Sequence, residues 1–477
     1  MVSFARDAIR LVAMMVLARL LLPEDYGHFA MATAVTGWLT GVGFLNFSPN
    51  LLREAPRPAE VATYLRFGLL WHGLLTVVGF GIAGALWFGL DRPVVAALVA
   101  LGTCALAPQV PAEIERQLLQ REFRWAAVRL WEVGTALLAS VAAILLAWRG
   151  FGPFALLAAM LIEPIPFAVL LLMKRTWRPL RSDPAIREGV RRFGWPMVVA
   201  HALWSGSHLL STWAVGTLLG ATVLGLFNRG VAVTTLVVGR ISGQAAYAVM
   251  PVLAKVHTDP HRRRIAGRLL LRAAVWSQCV LAGAFVFVAE PAIGIVYGER
   301  WLALMPLLPP MIALSLVASL VVVLEPMVLA SGRSDRRMLW EIVRFAGTAA
   351  CIPILWVGLE WYVYGLTALH VVLLVFAVGF AAREGWLSRA DVHDAFVPAI
   401  VAGGGALLAT NAVGYAYDGA ARQFVEALLF AGVYLLLLAA CFPSLTQELL
   451  LRLPRGQQVV ATIWRQGGQK VTPPPVS

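Results

Sequence analysis

Apolar runs of about twenty residues follow one another along almost the whole of this sequence, and that pattern fixes the solvent in which it folds. A hydrocarbon core of roughly 30 Å is crossed by about 20 residues of helix, and within it each backbone N–H and C=O must find its partner inside the segment. The runs fall near 2–22, 27–47, 66–90, 93–112, 125–147, 152–173, 194–218, 222–251, 270–290, 303–331, 336–358, 361–381, 395–414 and 421–441. They predict an all-α polytopic membrane protein with about 14 transmembrane helices. Composition agrees: 60% of residues are hydrophobic and 14% charged, against about a quarter charged in soluble domains. Pro164, Pro166, Pro326 and Pro353 lie inside runs, which bundled membrane helices tolerate.

The four cysteines, Cys104, Cys279, Cys351 and Cys441, all lie in apolar runs, and none stands at a metal-ligand spacing. The expectation is therefore neither disulfide nor metal site. A formal net charge of +13 would suggest nucleic acid in a soluble chain. Here the basic residues gather in the short segments between runs, which is the signature of topology and of anionic lipid headgroups as partners. No nucleic acid is expected. With the N-terminus inside, 32 of the 39 Lys and Arg residues fall in cytoplasmic segments, five fall outside, and Arg229 and Arg240 lie within a run. The positive-inside rule then sets both termini in the cytoplasm. The first run continues into a full span with no small-residue cleavage site, so no cleaved leader is expected. From Gly467 onward the tail reads as a disordered end.

An internal repeat is visible. Leu20-Leu21-Leu22-Pro23-Glu24-Asp25-Tyr26-Gly27-His28-Phe29, at the exit of the first run, is echoed by Leu218-Leu219-Gly220-Ala221-Thr222-Val223-Leu224-Gly225-Leu226-Phe227 at the exit of the seventh. Both read Leu-Leu, a tight connection, then Gly-x-Phe opening the next span. Six crossings separate the copies, so they share one orientation and form parallel repeats.

Ala18-Arg19-Leu20-Leu21-Leu22-Pro23-Glu24-Asp25-Tyr26-Gly27 resembles the hallmark of polysaccharide flippases of the multidrug/oligosaccharidyl-lipid/polysaccharide exporter superfamily. Gly225-Leu226-Phe227-Asn228-Arg229-Gly230 is similar to its counterpart in the second lobe. Gln117-Leu118-Leu119-Gln120-Arg121-Glu122-Phe123-Arg124 and Tyr297-Gly298-Glu299-Arg300-Trp301 resemble text of the colanic-acid-exporter-like branch. The resemblance implies two six-helix lobes, 1–180 and 181–386, around a V-shaped cavity, two further helices over 387–445 and a cytoplasmic tail over 446–477. It also implies alternating access in the bacterial inner membrane, with polyprenyl-diphosphate-linked oligosaccharide as substrate and no cofactor. Its motif residues here are Arg19, Pro23, Glu24, Asp25, Tyr26 and Gly27. One departure is that relatives carry some twenty residues before the first span.

Such a substrate pairs an anionic, hydrated head with a long apolar tail, so its carrier needs fixed positive charge and hydrogen-bonding groups inside the membrane. Arginine suits this, since its guanidinium stays ionised and grips phosphate with two donors. Arg229 and Arg240 lie close to three helical turns apart and share a face with Gln244 and Tyr247, with Asn228 beside its outer end. Arg240 is too deep to snorkel, whereas for Arg229 a cavity position and a snorkel to headgroups are both open. His201, Ser205, His208 and Thr212 form a polar stripe on the seventh run. Among acidic residues, Glu132 is expected to pair with Arg129. Glu163 and Glu325 each precede a proline and read either as H⁺ or Na⁺ sites or as counter-charges. Asn46, Asn50 and His72 read as interhelical hydrogen bonds.

Three other functions fit a chain of this class. A drug or cation exporter of the same superfamily wants an acidic or aromatic cavity. A lipid II flippase shares the basic cavity. A membrane-embedded polymerase or ligase needs catalytic residues on sizeable outer loops, which are absent here, so no enzyme is expected. No GxxxxGK(S/T) loop is present, so ATP is not the expected energy source.

Overall fold

The computed structural model describes residues 2–43, 58–173, 184–239, 258–331, 334–413 and 419–451, together with Val249, Leu253 and Val256. Its regular structure is helical throughout the described residues: α1 (Val2–Leu20), α2 (Pro23–Gly43), α3 (Pro58–Phe88), α4 (Pro93–Thr103), α5 (Leu106–Arg121), α6 (Trp125–Trp148), α7 (Ala158–Ile162), α8 (Ile165–Met173), α9 (Pro184–Leu218), α10 (Ala221–Thr234), α11 (Pro260–Val296), α12 (Leu308–Ala330), α13 (Ser334–Cys351), α14 (Leu359–Arg383), α15 (Arg389–Ala412), α16 (Ala420–Cys441) and α17 (Pro443–Leu451). Among the described residues, eleven segments are long and apolar enough to cross a membrane, and each coincides with a run expected from sequence. The three other expected spans are α1, α2 and α9. They are helical but more polar, since their sequences carry more charged and hydroxyl-bearing residues.

Local sequence explains where helices stop. Pro23 takes the first position of α2, where its missing N–H costs nothing, and Glu24 and Asp25 complement the positive end of the helix. Gly220 joins α9 to α10 at φ +91°, a conformation a side chain resists. Ser388 and Asp391 form a reciprocal capping box at the start of α15.

The chain divides into two compact units. The first comprises Met1–Ala232, Ala292–Leu307 and Asp335–Leu369, and the second Val233–Pro291, Leu308–Ser334 and His370–Ser477. In the first, α2 packs along α9 and α4, and α1 packs along α6. The Trp213 indole donates to the Met31 carbonyl at 3.2 Å. The His72 ring nitrogens lie 3.1 and 3.0 Å from the carbonyls of Gly43 and Leu106, so its N–H donates to one of two neighbouring helices. Asn46 and Asn50 lie outside the described residues. The exit of α1 and the exit of α9 meet through bare backbone. A Cβ on Gly27 would strike the Ala221 carbonyl oxygen, and one on Gly225 would strike that of Pro23. Ala221 stands to Gly225 as Pro23 stands to Gly27, so the two copies of the repeat meet through equivalent positions.

In the second unit, the Trp276 indole donates to the Ala395 carbonyl at 3.0 Å, and the Tyr434 hydroxyl to that of Trp276 at 3.2 Å. Ser319 donates to the Gln278 side chain at 2.6 Å. Arg272 is 1% exposed. It pairs with Glu448 of α17 at 2.9 Å and with Asp394 of α15 at 3.8 Å, and Arg268 pairs with the other oxygen of the Glu448 carboxylate. Large apolar side chains face outward: Leu70 is 77% exposed, Phe88 88% and Leu408 74%. Water would penalise such a surface, whereas lipid is its proper solvent.

Candidate functional site

The first unit holds a half-open cavity of about 390 Å³, within the roughly 300–1,000 Å³ typical of ligand sites. Three walls repeat one helical face, at i, i+3, i+4 and i+7. From α1 come Arg10, Ala13, Met14 and Leu17; from α6, Ala136, Ala139, Ser140 and Ala143; from the sixth span, Leu156, Ala159, Met160 and Glu163. The face on α6 carries nothing larger than serine, and that lack of volume is what opens the space. Tyr26 of α2 and Arg229 of α10 complete the lining.

The hallmark motif positions Tyr26. The carboxylate of Asp25 accepts from the Leu22 N–H at 2.9 Å and fixes the turn into α2. The Tyr26 ring is 2% exposed and meets Trp301 edge to face, with centroids 5.2 Å apart. Trp301 is anchored in turn by its indole N–H to the Ala18 carbonyl at 3.0 Å. Arg19 donates to the Ile295 carbonyl at 2.9 Å, and the Tyr297 hydroxyl approaches the Met14 sulfur at 3.4 Å. Three stretches that resemble flippase text, around residues 18–27, 225–230 and 297–301, therefore come together at one place. Residues 117–124 do not join them. There Gln117 is buried and bonds Glu113 at 2.9 Å on α5.

Arg229 lays its guanidinium over the Tyr26 ring, 4.4 Å from the centroid, which holds a cation in place without consuming its donors. Its Nε and the Tyr26 hydroxyl are both buried and without a hydrogen-bond partner among the described residues. Arg6, Arg116 and Arg272 carry a buried Nε in the same state, so it is the cavity lining, and not this state, that sets Arg229 apart. Arg10 and Glu163 form an ion pair facing the same space. Glu163 sits at the break between α7 and α8, beside Pro164. Two guanidiniums against one carboxylate leave the cavity with one net positive charge, suited to an anion and hostile to a cation.

The other sequence candidates distribute as follows. Asn228 is half-buried beside Arg229 but does not line the cavity. On α9, Ser205 is buried and donates to the His201 carbonyl at 2.6 Å, and the exposed His208 ring meets Trp204 at 5.1 Å. None of the three lines the cavity. Arg240 and Gln244 lie outside the described residues. Glu325 is half-buried beside Pro326 in the second unit. Glu132 pairs with Arg129 at 2.9 Å and also with Arg6 at 3.0 Å. Sequence reasoning missed Arg10, which it took as a topology signal, and treated Tyr26 only as motif. The face shared by Arg10, Ala13, Met14 and Leu17 was the available clue.

Comparison with known proteins places this geometry in context. A family model described as polysaccharide biosynthesis protein matches residues 16–306, more than half of the chain. The succinoglycan biosynthesis transport protein ExoT of Rhizobium meliloti (strain 1021) is 24% identical over 313 residues, covering 63% of this chain and 61% of that one. The teichuronic acid biosynthesis protein TuaB of Bacillus subtilis (strain 168) is 28% identical over 130 residues, covering 27% of this chain and 26% of its own length. The matched segments thus span less than two thirds of these relatives. Among solved structures, the lipid II flippase MurJ in an inward closed conformation superposes with TM-score 0.59 at 9% identity, over 93% of this chain and 98% of that one. An inward-facing multidrug resistance MATE family transporter of the MOP superfamily does so with TM-score 0.54 at 15% identity, over 80% and 95%. At such identities the likeness is one of fold. The match over residues 16–306 takes in every cavity-lining arginine, tyrosine and glutamate except Arg10, and on that match this multi-pass membrane chain belongs to the polysaccharide biosynthesis protein family.

Proposed function

We propose that the protein flips polyprenyl-diphosphate-linked oligosaccharide units across the bacterial inner membrane by alternating access, for assembly of an exopolysaccharide, capsule or O-antigen. It does so as a transporter rather than an enzyme. The observation that carries this reading is the net-positive cavity lined by Arg10, Arg229, Tyr26 and Glu163. A diphosphate offers oxygens to both guanidiniums and to the phenol, while its polyprenyl tail stays in lipid. The succinoglycan biosynthesis transport named for ExoT and the teichuronic acid biosynthesis named for TuaB support the substrate class.

Arg240, Gln244, Asn228 and the stripe of His201, Ser205 and His208 belong to the same reading as further contacts with the head. Glu325 belongs to it as a candidate H⁺ or Na⁺ site. The distribution of basic residues, 32 on one side and five on the other, supports cytoplasmic termini and contact with anionic lipid. Cells whose own gene is deleted and which carry the Arg229→Ala or Arg240→Ala form test the proposal. Export of the polymer should stop and the lipid-linked precursor should accumulate, at unchanged protein level. Normal export by both variants would refute it.

A further inference from the structure

A second polar cluster lies in the first unit, outside the cavity, where α2, α9 and α13 meet. A Cβ on Gly206 of α9 would stand 3.2 Å from the Phe345 ring of α13 and 3.6 Å from the Trp38 Nε1 of α2. These three residues fall near the middle of the runs 27–47, 194–218 and 336–358, the depth at which membrane carriers hold their substrates. Arg344 pairs with the buried Glu341 at 3.5 Å, and its charge acts on His208 of α9. Trp204, 44% exposed, meets the His208 ring edge to face.

Lipid does not account for this arrangement. On α13 the exposed side chains are apolar, among them Met338, Leu339 and Ile342, while Trp340, Glu341 and Arg344 share the opposite face. On α9, Trp204 shares its exposed face with His208, a residue that hydrocarbon penalises, so that face suits water. Trp340 adds an independent sign. The indoles of Trp71, Trp213, Trp276, Trp301 and Trp386 each donate to an oxygen at 2.9–3.2 Å. The Trp340 N–H is buried without a partner among the described residues.

An exposed indole beside a guanidinium–carboxylate pair, an imidazole and an unused N–H is the chemistry that recognises sugars. The C–H face of a sugar packs on an aromatic ring, and its hydroxyls donate to a carboxylate and accept from a guanidinium or an indole. A diphosphate is less suited, because Glu341 offsets the Arg344 charge. Twelve residues of α2 separate Trp38 from Tyr26, about 18 Å along the helix, farther than a diphosphate seated in the Arg229 cavity extends. We propose that this seam of α2, α9 and α13 binds the sugars of the lipid-linked oligosaccharide, with Trp204 as the stacking platform and Arg344, Glu341 and Trp340 as partners of the hydroxyls. This rests on the reading that the protein carries such a lipid, and deepens it by giving the glycan a place apart from the diphosphate.

The full-length protein in lipid nanodiscs is titrated with two probes, undecaprenyl diphosphate and the lipid-linked oligosaccharide extracted from cells that lack the gene. Trp204→Leu keeps an exposed apolar side chain and Arg344→Lys keeps the charge, so each variant tests recognition with little demand on folding. Both should weaken binding of the glycosylated probe by about tenfold and change that of undecaprenyl diphosphate by less than about twofold. Arg229→Ala should weaken both probes. Equal losses on the two probes in the seam variants, or no loss on either, overturn the inference and leave the cavity reading intact. Unaltered binding of both probes by Arg229→Ala overturns the cavity reading itself.

Discussion

Tyr26 and Arg229 are built as a pair, ring beneath guanidinium at 4.4 Å, and each keeps one buried polar atom without a partner among the described residues. This predicts an unusual split for Tyr26→Phe. Removing a hydroxyl with no partner among the described residues should leave the unfolding temperature unchanged, yet weaken binding of a diphosphate lipid by about ten- to a hundredfold, the worth of one hydrogen bond to a charged group. Thermal unfolding and ligand titration on the same preparation check both halves. Arg229→Lys should restore only part of what Arg229→Ala removes, because an ammonium lacks the planar fork and stacks less well on the ring; the rate of polymer export reads this out. Arg229 was legible in the sequence, since a charge inside an apolar run is conspicuous. Arg10 was not. It sits among other basic residues near the N-terminus, where one more arginine reads as topology, and only the packing of α1 on α6 and its ion pair with Glu163 reveal its inward aim. Arg240 and Gln244 were equally legible as candidates, but lie where the structure describes nothing.

Whole elements were easier to read than their contacts. Helix positions follow from run length, and Pro23 and Gly220 mark the connections between spans. The repeat of Gly-x-Phe was visible too, but its purpose was not: Gly27 and Gly225 are the points where the two copies touch backbone to backbone. A backbone carbonyl cannot rotate out of the way, so Gly27→Ala should cost about 1–3 kcal/mol through overpacking, despite alanine's better helix propensity. Gly37→Ala, with nothing within 4 Å of the added carbon, should be neutral or stabilising. Comparing the thermal stability of the two variants in detergent checks this, and equal values would show that the glycine joint is not close-packed. In the second unit, α17 is fastened by Glu448 to Arg268 and the buried Arg272. Glu448→Gln should therefore destabilise by about 1.5–3 kcal/mol, since the buried Arg272 loses its nearer counter-charge and keeps only Asp394 at 3.8 Å. A fall in the unfolding temperature no larger than that of a surface Glu→Gln change would contradict it.

At the scale of the molecule, outward-facing apolar side chains and a charged cavity within the first unit fit the proposal that the protein carries an anion through lipid. The outward-facing Leu70, Phe88 and Leu408 are what a membrane requires, and the composition announced them. The placing of the few interior charges depends on tertiary contacts and could not be announced. The bias of basic residues predicts that a reporter fused at Gly467 reports the cytoplasm and one inserted near Asp418 reports the periplasm; the reverse would invert the topology. The central claim, that the Arg229 cavity carries a lipid-linked diphosphate sugar from one leaflet to the other, is tested most directly with the purified protein in liposomes. The fraction of a fluorescent polyprenyl-diphosphate-linked sugar that becomes accessible in the opposite leaflet is followed with time. The account predicts translocation by the wild type and its loss in Arg229→Ala at equal reconstitution. Translocation that proceeds as fast without Arg229, or a wild type that moves no such lipid, would contradict it.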